Sequence, residues 1–156
     1  MALAKAQATA AAPDEVVVGA DTLVVIDNEV LGKPVADDDA RHMLTRLRRR
    51  AHDVLTGVSL VAAGRTWAGV VDTRVVMRDY TDAEIERYIG RGEPFDKAGG
   101  YAIQDHEFRP VERIEGCYLN VVGFPLCALA AGLITLGIEV ERAGTPPCVY
   151  CERSGY

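Results

Sequence analysis

An apolar run near the start of the chain constrains the fold most strongly. Residues 16–26 contain five valines and one isoleucine, and only residues 19–22 interrupt them. A short run so rich in β-branched side chains is typical of a buried strand rather than a helix. Asp21 lies inside this run, where an unpaired carboxylate is costly to bury. It is therefore either part of a bend or bulge that caps a neighbouring turn, or a functional carboxylate beside backbone that Gly19 and Ala20 leave open to a ligand.

The composition is that of one ordinary globular domain. The chain has 156 residues, of which 49% are hydrophobic and 26% are charged, and its formal net charge is −6. This acidic balance argues against nucleic acid polymers and membrane surfaces as partners. No apolar run approaches the roughly 20 residues that cross a bilayer. Four cysteines are too few and too close to the C-terminus for a disulfide scaffold, which predicts a cytoplasmic location.

The rest of the pattern alternates helices and strands. High helix propensity predicts a helix over residues 2–11, and a turn signal at residues 63–65 predicts a long β-hairpin. Thr81 and Glu84 have the spacing of a capping box at the start of a helix. Residues 117–122 are interpreted as a further short strand that leads into a final apolar helix. This alternation predicts an α/β fold with a mixed sheet.

Three polar groups interrupt otherwise apolar or turn-rich sequence. They are Asp21 with Thr22, Lys33, and Asp96 and Lys97 with Gln104. A carboxylate can hold Mg²⁺ or take a proton from water, a lysine can neutralise phosphate oxygens, and Thr or Gln can hydrogen-bond the edge of a base. The simpler interpretation is a solvated turn lysine and a surface ion pair, which contribute little. The residue types alone leave both interpretations open.

The histidines and the C-terminal cysteines offer no convincing metal site. None of the three histidines has ligand spacing, and we expect all of them at the surface or at an interface; they are His42, His52 and His106. Cys148 and Cys151 form one Cys-x-x-Cys pair, whereas a structural zinc site normally needs four ligands. Residues 141–156 are therefore predicted to be a disordered tail with reduced thiols, and the less favoured alternative is a metal site shared between chains.

Seven short motifs occur in the order in which the Maf family has them. They are residues 19–22 (GADT), 31–34 (LGKP), 56–58 (TGV), 92–94 (GEP), 96–104 (DKAGGYAIQ), 115–116 (EG) and 120–126 (NVVGFPL). Each motif is weak alone, but the ordered set is specific. Over residues 2–137 the chain thus resembles a family of nucleoside triphosphate pyrophosphatases that are also described as septum-formation inhibitors.

The resemblance implies a fold and a reaction. The fold is an elongated mixed sheet flanked by helices. The reaction is hydrolysis between the α- and β-phosphates of a nucleotide, which gives the monophosphate and pyrophosphate with Mg²⁺ or Mn²⁺. Asp21 matches the family's proton acceptor. Lys33 and Lys97 match positions on the phosphate side, and Lys5 resembles a further lysine of the pocket.

The resemblance also implies a substrate class. Thr22 and Gln104 match positions tied to substrate choice, and with Asp21 they resemble the subgroup that acts on dTTP and UTP rather than the one that acts on 7-methyl-GTP. Modified pyrimidine nucleotides belong to the same expectation. Glu93 and Asp96 either ligate the metal together with Asp21 or only order their loop. The family also makes a homodimer plausible.

The N-terminal region departs from the family pattern. Family members open with a strand and a loop of the Ser-Pro-Arg-Arg type, whereas residues 2–11 resemble a later helix. This predicts either a start assigned at an internal Met or a shortened chain with an exposed sheet edge or groove. We therefore consider two alternative functions. The first is a pyrophosphatase formed by residues 1–140, and the second is a catalytically impaired relative that binds nucleotide or protein in cell-division control.

Overall fold

The computed structural model describes residues 2–7 and 15–140, except for the side chains of Lys5 and Gln7. Helices and strands occur in the order α1 (Ala2–Gln7), β1 (Val16–Ile26), β2 (Glu29–Leu31), α2 (Asp37–Leu47), β3 (Ala51–Ala62), β4 (Arg65–Met77), α3 (Asp82–Gly90), β5 (Val111–Glu115), α4 (Tyr118–Val122) and α5 (Leu126–Thr135). Two 3₁₀ helices, Glu93–Asp96 and Ala98–Gly100, lie between α3 and β5. Over the described ranges, no helix has both the length and the apolar content needed to cross a bilayer.

The chain divides into two compact units. The first takes the described parts of Met1–Thr22, Thr56–Asp72 and Gly116–Tyr156, and the second takes Leu23–Leu55 and Thr73–Glu115. The first unit therefore contains helices α1, α4 and α5, together with the start of β1, the end of β3 and the start of β4. The second unit contains the other parts of these strands, together with β2, β5, α2 and α3.

The second unit contains a five-stranded sheet with the strand order β2-β1-β3-β4-β5. β1 pairs antiparallel with β2, where Val24 lies opposite Leu31, and β4 pairs antiparallel with β5, where Arg74 lies opposite Glu115. Helix α2 packs against α3. Each helix buries one apolar stripe, which is the usual source of stability for a short helix. The buried residues are Ala40, Met43, Leu44 and Leu47 in α2, and Ile85, Tyr88 and Ile89 in α3.

The predicted α/β fold, a sheet with flanking helices, is confirmed, but the sheet is antiparallel where a mixed sheet is predicted. Tight turns explain this difference. Asp27 and Asn28 link β1 to β2 with φ angles of 54° and 62°, and Ala63 and Gly64 link β3 to β4 with φ angles of 46° and 76°. Two-residue turns of positive φ are hairpin turns, so the chain reverses direction at each of them.

Glycines in the first unit allow helices to lie close to strands. A Cβ atom at Gly132 of α5 would be 2.2 Å from Leu60 Cδ1 and 2.5 Å from Trp67 Cε3. A Cβ atom at Gly19 of β1 would be 2.3 Å from the carbonyl oxygen of Ala2 in α1. Gly19 therefore admits helix α1 close to the strand, whereas the sequence interpretation reserves this space for a ligand.

Two local predictions are confirmed. Thr81 and Glu84 form the predicted capping box at the start of α3, and residues 63–64 form the hairpin turn. The helix predicted over residues 2–11 is present over Ala2–Gln7, and residues 8–11 lie outside the described part of the chain.

One predicted strand is a helix. Residues 117–122 contain α4, which ends at Gly123 with a φ angle of 111°. The amide of Phe124 donates to the carbonyl of Leu119 at 2.9 Å and so closes the helix end in the manner of a glycine-terminated helix. The strand prediction is therefore wrong. Gly123 adopts a conformation that favours glycine and forms the end of a helix, a role that the sequence interpretation did not consider.

His52 is buried, which corrects the expectation that all three histidines lie at the surface or at an interface. Only 2% of His52 is exposed, whereas His42 and His106 are exposed. Its Nε2 atom lies 2.7 Å from the hydroxyl oxygen of Tyr101, and the two rings meet edge to face with centroids 5.4 Å apart. Burial, with a smaller contribution from the Arg74 guanidinium, lowers the pKa of His52 from 6.5 to about 4.

Burial of His52 is expected to make the fold less stable in mild acid. The unfolded chain protonates this imidazole near pH 6.5 and the folded chain only near pH 4. The unfolded state therefore binds more protons in this window, and stability falls as the pH decreases through it. Between pH 7.5 and 5.5 the loss from His52 is about 1.4 kcal/mol. Urea unfolding should show a correspondingly smaller loss in His52→Gln and an unchanged one in the exposed control His106→Gln; equal losses in all three proteins would contradict the burial.

Candidate functional site

Asp21 and Thr22 are consecutive residues of β1, in the first unit, and both are half-buried. The Thr22 Oγ1 atom is 2.9 Å from Thr56 Oγ1 on β3. The Thr56 hydroxyl donates in turn to the backbone carbonyl of Asn120 at 3.1 Å. A strand carries Asp21 and Thr22, and this chain of hydrogen bonds from β1 through β3 to α4 fixes the position of the Thr22 side chain.

Two glycines lie next to this pair. A Cβ atom at Gly57 would be 3.9 Å from the carbonyl oxygen of Asp21, and one at Gly123 would be 3.4 Å from Thr22 Oγ1. Gly123 has a φ angle of 111°, which favours glycine. The glycines of two motifs from the sequence analysis therefore border Asp21 and Thr22 in the first unit.

In the second unit, two lysine-bearing motifs meet. The amide of Gly99 donates to the carbonyl of Gly32 at 2.9 Å, and a Cβ atom at Gly100 would be 3.4 Å from Pro34 Cγ. The loop that carries Lys33 is thus held against the 3₁₀ segment that follows Lys97. Residues separated by more than sixty positions in the chain become neighbours.

Lys97 is the centre of a charged group that we call the lysine cluster: Lys33, Glu93, Asp96 and Lys97. The Lys97 Nζ atom donates to Asp96 Oδ1 at 2.6 Å and to the carbonyl oxygen of Glu93 at 2.7 Å, and it lies 3.5 Å from Glu93 Oε2. The Lys97 ammonium holds the pKa of Asp96 below its ordinary value, and the charge of Lys33 contributes to the same shift. Two cations and two carboxylates therefore lie close together on the second unit.

The carboxylates of the lysine cluster fit a metal ion only if the ion arrives with phosphate ligands. Among the residues described, no group of three His, Cys, Asp or Glu side chains forms a metal site. Glu93 and Asp96 supply two carboxylates, and Mg²⁺ usually takes one or two of these together with substrate phosphates and water. The pair fits an ion that arrives with a phosphate ligand, because phosphate could draw the Lys97 ammonium away from the carboxylates. It does not fit an ion held by protein groups alone.

Gln104 lies in an exposed turn of the second unit whose ends are firmly held. On one side, the amide of Ala102 donates to the hydroxyl of Tyr88 at 3.1 Å. On the other side, Asp105 forms an ion pair with Arg91 and accepts the amide of Phe108 at 2.6 Å. The turn therefore presents the Gln104 side chain from a fixed backbone.

Two further predictions fall outside the described residues. The side chain of Lys5 is one of them, although its backbone belongs to α1. The other is the Cys-x-x-Cys pair, since Cys148 and Cys151 lie beyond residue 140. Neither prediction is tested.

The sequence interpretation missed the polar contacts that support Thr22. Thr56 and Asn120 are both fully buried at 0% exposure, and they are separated by 64 positions. A threonine in a strand is an ordinary β-former, so Thr56 carries no signal of this role. The motif that contains it is the only indication that the position matters.

Comparison with known proteins finds similarity to one family over most of the chain. The model of the family described as Maf-like protein matches residues 1–136. Three relatives named dTTP/UTP pyrophosphatase show the extent of the similarity. The Thermomicrobium roseum protein is 46% identical over 96% of this chain and 72% of its own length, the Dictyoglomus thermophilum protein 48% over 80% and 66%, and the Salinibacter ruber protein 54% over 73% and 57%.

The matched region contains every candidate site residue. The chain spans between 57% and 72% of the length of the three relatives, while the family model takes in most of the chain itself, including both the Asp21–Thr22 pair and the lysine cluster. This chain therefore belongs to the Maf-like protein family.

Proposed function

We propose that this protein is a nucleoside triphosphate pyrophosphatase that hydrolyses dTTP, UTP or modified pyrimidine nucleotides to the monophosphate and pyrophosphate. The observation that carries the proposal is the hydrogen bond from Gly99 to Gly32, because it joins the motifs that bear Lys33 and Lys97. Two lysines held together are suited to a polyphosphate, which carries several negative charges. The names of the three relatives support the same reaction.

Asp21 would act as the general base of this reaction. Hydrolysis between the α- and β-phosphates needs a water molecule that is oriented and deprotonated beside the phosphorus atom, and a carboxylate can do both. Lys33 and Lys97 would neutralise phosphate oxygens, with Lys5 as a further contact. For Lys97 this means exchanging its bond to Asp96 for one to phosphate, which retains a charge-assisted partner throughout.

A divalent ion, Mg²⁺ or Mn²⁺, would enter with the nucleotide and draw negative charge from the phosphates. Its proposed ligands are Asp21, Glu93 and Asp96. Release of the Lys97 ammonium from Glu93 and Asp96 would free both carboxylates for this purpose. The lysine cluster would thus exchange internal ion pairs for contacts with the substrate and its ion.

Thr22 and Gln104 would contact the base. A threonine hydroxyl can accept a hydrogen bond from the edge of a pyrimidine, and a glutamine amide can both donate and accept one. Each is held by its surroundings: Thr22 by the bond to Thr56, and Gln104 by the anchored turn.

The proposal is tested by measuring pyrophosphate release from a panel of nucleoside triphosphates with Mg²⁺ or Mn²⁺. The full chain is assayed beside the Thermomicrobium roseum relative as a positive control. We expect release from dTTP and UTP above that from purine nucleotides, and none after the metal is chelated. Nucleotide binding without release, under conditions where the relative turns over, would refute the proposal and favour the non-catalytic binding factor.

The expected domain bounds, cellular location and oligomeric state are part of this proposal. Residues 1–140 are taken as the functional domain and residues 141–156 are given no role. A cytoplasmic location and a homodimer stay predictions. Cell fractionation and the mass of the purified protein in solution are the measurements that decide them.

A further inference from the structure

The hydroxyl of Thr56 sets the direction of the hydrogen bonds around Thr22. Its Oγ1 atom lies 3.1 Å from the carbonyl oxygen of Asn120, which can only accept. Two oxygens at this distance repel unless a proton lies between them, so the single proton of Thr56 points to Asn120. The Oγ1 atoms of Thr22 and Thr56 are 2.9 Å apart. Because Thr56 has already used its proton, Thr22 must be the donor in this second bond.

Thr22 consequently has only lone pairs left for another partner. Thr56 and Asn120 are 0% exposed, so water cannot replace either of them and reverse the chain of bonds. Thr22 is only half-buried. Gly123 lies next to its hydroxyl, where a Cβ atom would be 3.4 Å away, and the missing side chain keeps that side of the oxygen uncrowded.

We propose that Thr56 is a positioning residue that makes Thr22 a hydrogen-bond acceptor and thereby selects uracil and thymine over cytosine. The inference rests on the proposed function, in which Thr22 contacts the base. Ring nitrogen N3 of uracil and thymine bears a proton and donates, whereas N3 of cytosine bears none and accepts. An acceptor-only hydroxyl at residue 22 bonds the first kind of edge and repels the second.

The first test removes the Thr56 hydroxyl while keeping the size of the side chain. In Thr56→Val, the freed hydroxyl of Thr22 can rotate and donate to N3 of cytosine. The ratio of kcat/KM for UTP to that for CTP should therefore fall roughly tenfold, the effect of about one hydrogen bond. Asn120 still accepts the amide of Gly123 at 3.0 Å, so no buried carbonyl loses its last donor. Thr56→Ser retains the hydroxyl and should retain the wild-type ratio.

A double-mutant cycle separates positioning from a general loss of structure. In a Thr22→Val background, Thr56→Val should leave the ratio unchanged, because the hydroxyl through which Thr56 acts is absent. A Thr56→Val variant that loses activity equally on UTP and CTP would overturn the inference. A ratio that changes to the same extent in the Thr22→Val background would overturn it as well.

Binding measurements distinguish failure of this inference from failure of the proposed function. Dissociation constants are measured by calorimetry with α,β-methylene analogues of UTP and CTP, which cannot be hydrolysed. Tighter binding of the UTP analogue that depends on Thr56, without any pyrophosphate release, would reject the enzyme and support the inference. Pyrophosphate release at equal efficiency from UTP and CTP would support the enzyme and reject the inference.

Discussion

Replacing Asp21 with Asn is expected to lower pyrophosphate release from dTTP and UTP by about 10²–10⁴-fold, the usual contribution of a general base. The amide has the size of the carboxylate but cannot take a proton from water. Because Asp21 lies on β1, whose backbone is held by its strand neighbours, the substitution should leave the fold intact. The loss should appear mainly in kcat, since the proposed contacts of the lysines and of Thr22 with the nucleotide remain. The Mg²⁺ concentration needed for half-maximal activity should also rise, because Asp21 is a proposed ligand of the ion as well.

Two further variants make this prediction sharper. Asp53→Asn removes a carboxylate from β3, where it faces Arg74 at 3.6 Å and both side chains are more than half exposed. This variant should turn over like the wild type, because an exposed ion pair contributes little. Asp21→Glu keeps a base but moves it by one methylene, so its rate should lie between those of the wild type and Asp21→Asn. Unchanged turnover in Asp21→Asn, with the far-ultraviolet spectrum of the wild type, would remove Asp21 from the reaction.

Features that depend on a few neighbouring residues could be predicted from the sequence. The capping box is one example: the Thr81 amide donates to Glu84 Oε2 at 2.7 Å, and the Glu84 amide donates to Thr81 Oγ1 at 3.3 Å. The turn at residues 63–64 is another. Both signals work because the whole interaction lies within one turn of backbone.

Features set by distant partners could not be predicted in this way. Strand β5 has the sequence VERIE, in which three of five residues are charged, and it becomes a strand because β4 offers an edge to pair with. The burial of His52 depends on Tyr101, 49 positions away. Local propensity gives no information about either, since tertiary contacts override it.

The same difference applies to the candidate site, whose residues could be predicted but whose supporting contacts could not. The ordered motifs identify Asp21, Lys33 and Lys97 as positions, because a family resemblance is a property of the sequence. They do not identify what holds these residues in place. The bond from Thr56 to Asn120 and the bond from Gly99 to Gly32 join residues that are 64 and 67 positions apart, and only the folded chain reveals them.

The position of Gly99 leads to the largest predicted effect on stability. Gly99 has a φ angle of 71°, and a Cβ atom there would be 3.0 Å from Val24 Cγ1. Val24 is 3% exposed and branched, so it has little room to move. Gly99→Ala therefore combines left-handed backbone strain, which costs about 1–2 kcal/mol, with overpacking, which costs about 1–3 kcal/mol. The free energy of unfolding in urea should fall by about 2–5 kcal/mol.

The neighbouring glycines supply controls that separate these two causes. Gly92 has nearly the same φ angle, 76°, but nothing within 4 Å of its Cβ position, so Gly92→Ala should lose only the strain contribution of about 1–2 kcal/mol. Gly32 has open space and no positive φ angle, and Gly32→Ala should change stability least. If Gly99→Ala and Gly92→Ala prove equally stable, the close approach of residue 99 to β1 is wrong. A loss of stability that decreases from Gly99→Ala through Gly92→Ala to Gly32→Ala would instead show that Gly99 lies in close contact with Val24. That contact holds Gly99 in place, and with it the hydrogen bond that brings Lys33 and Lys97 together.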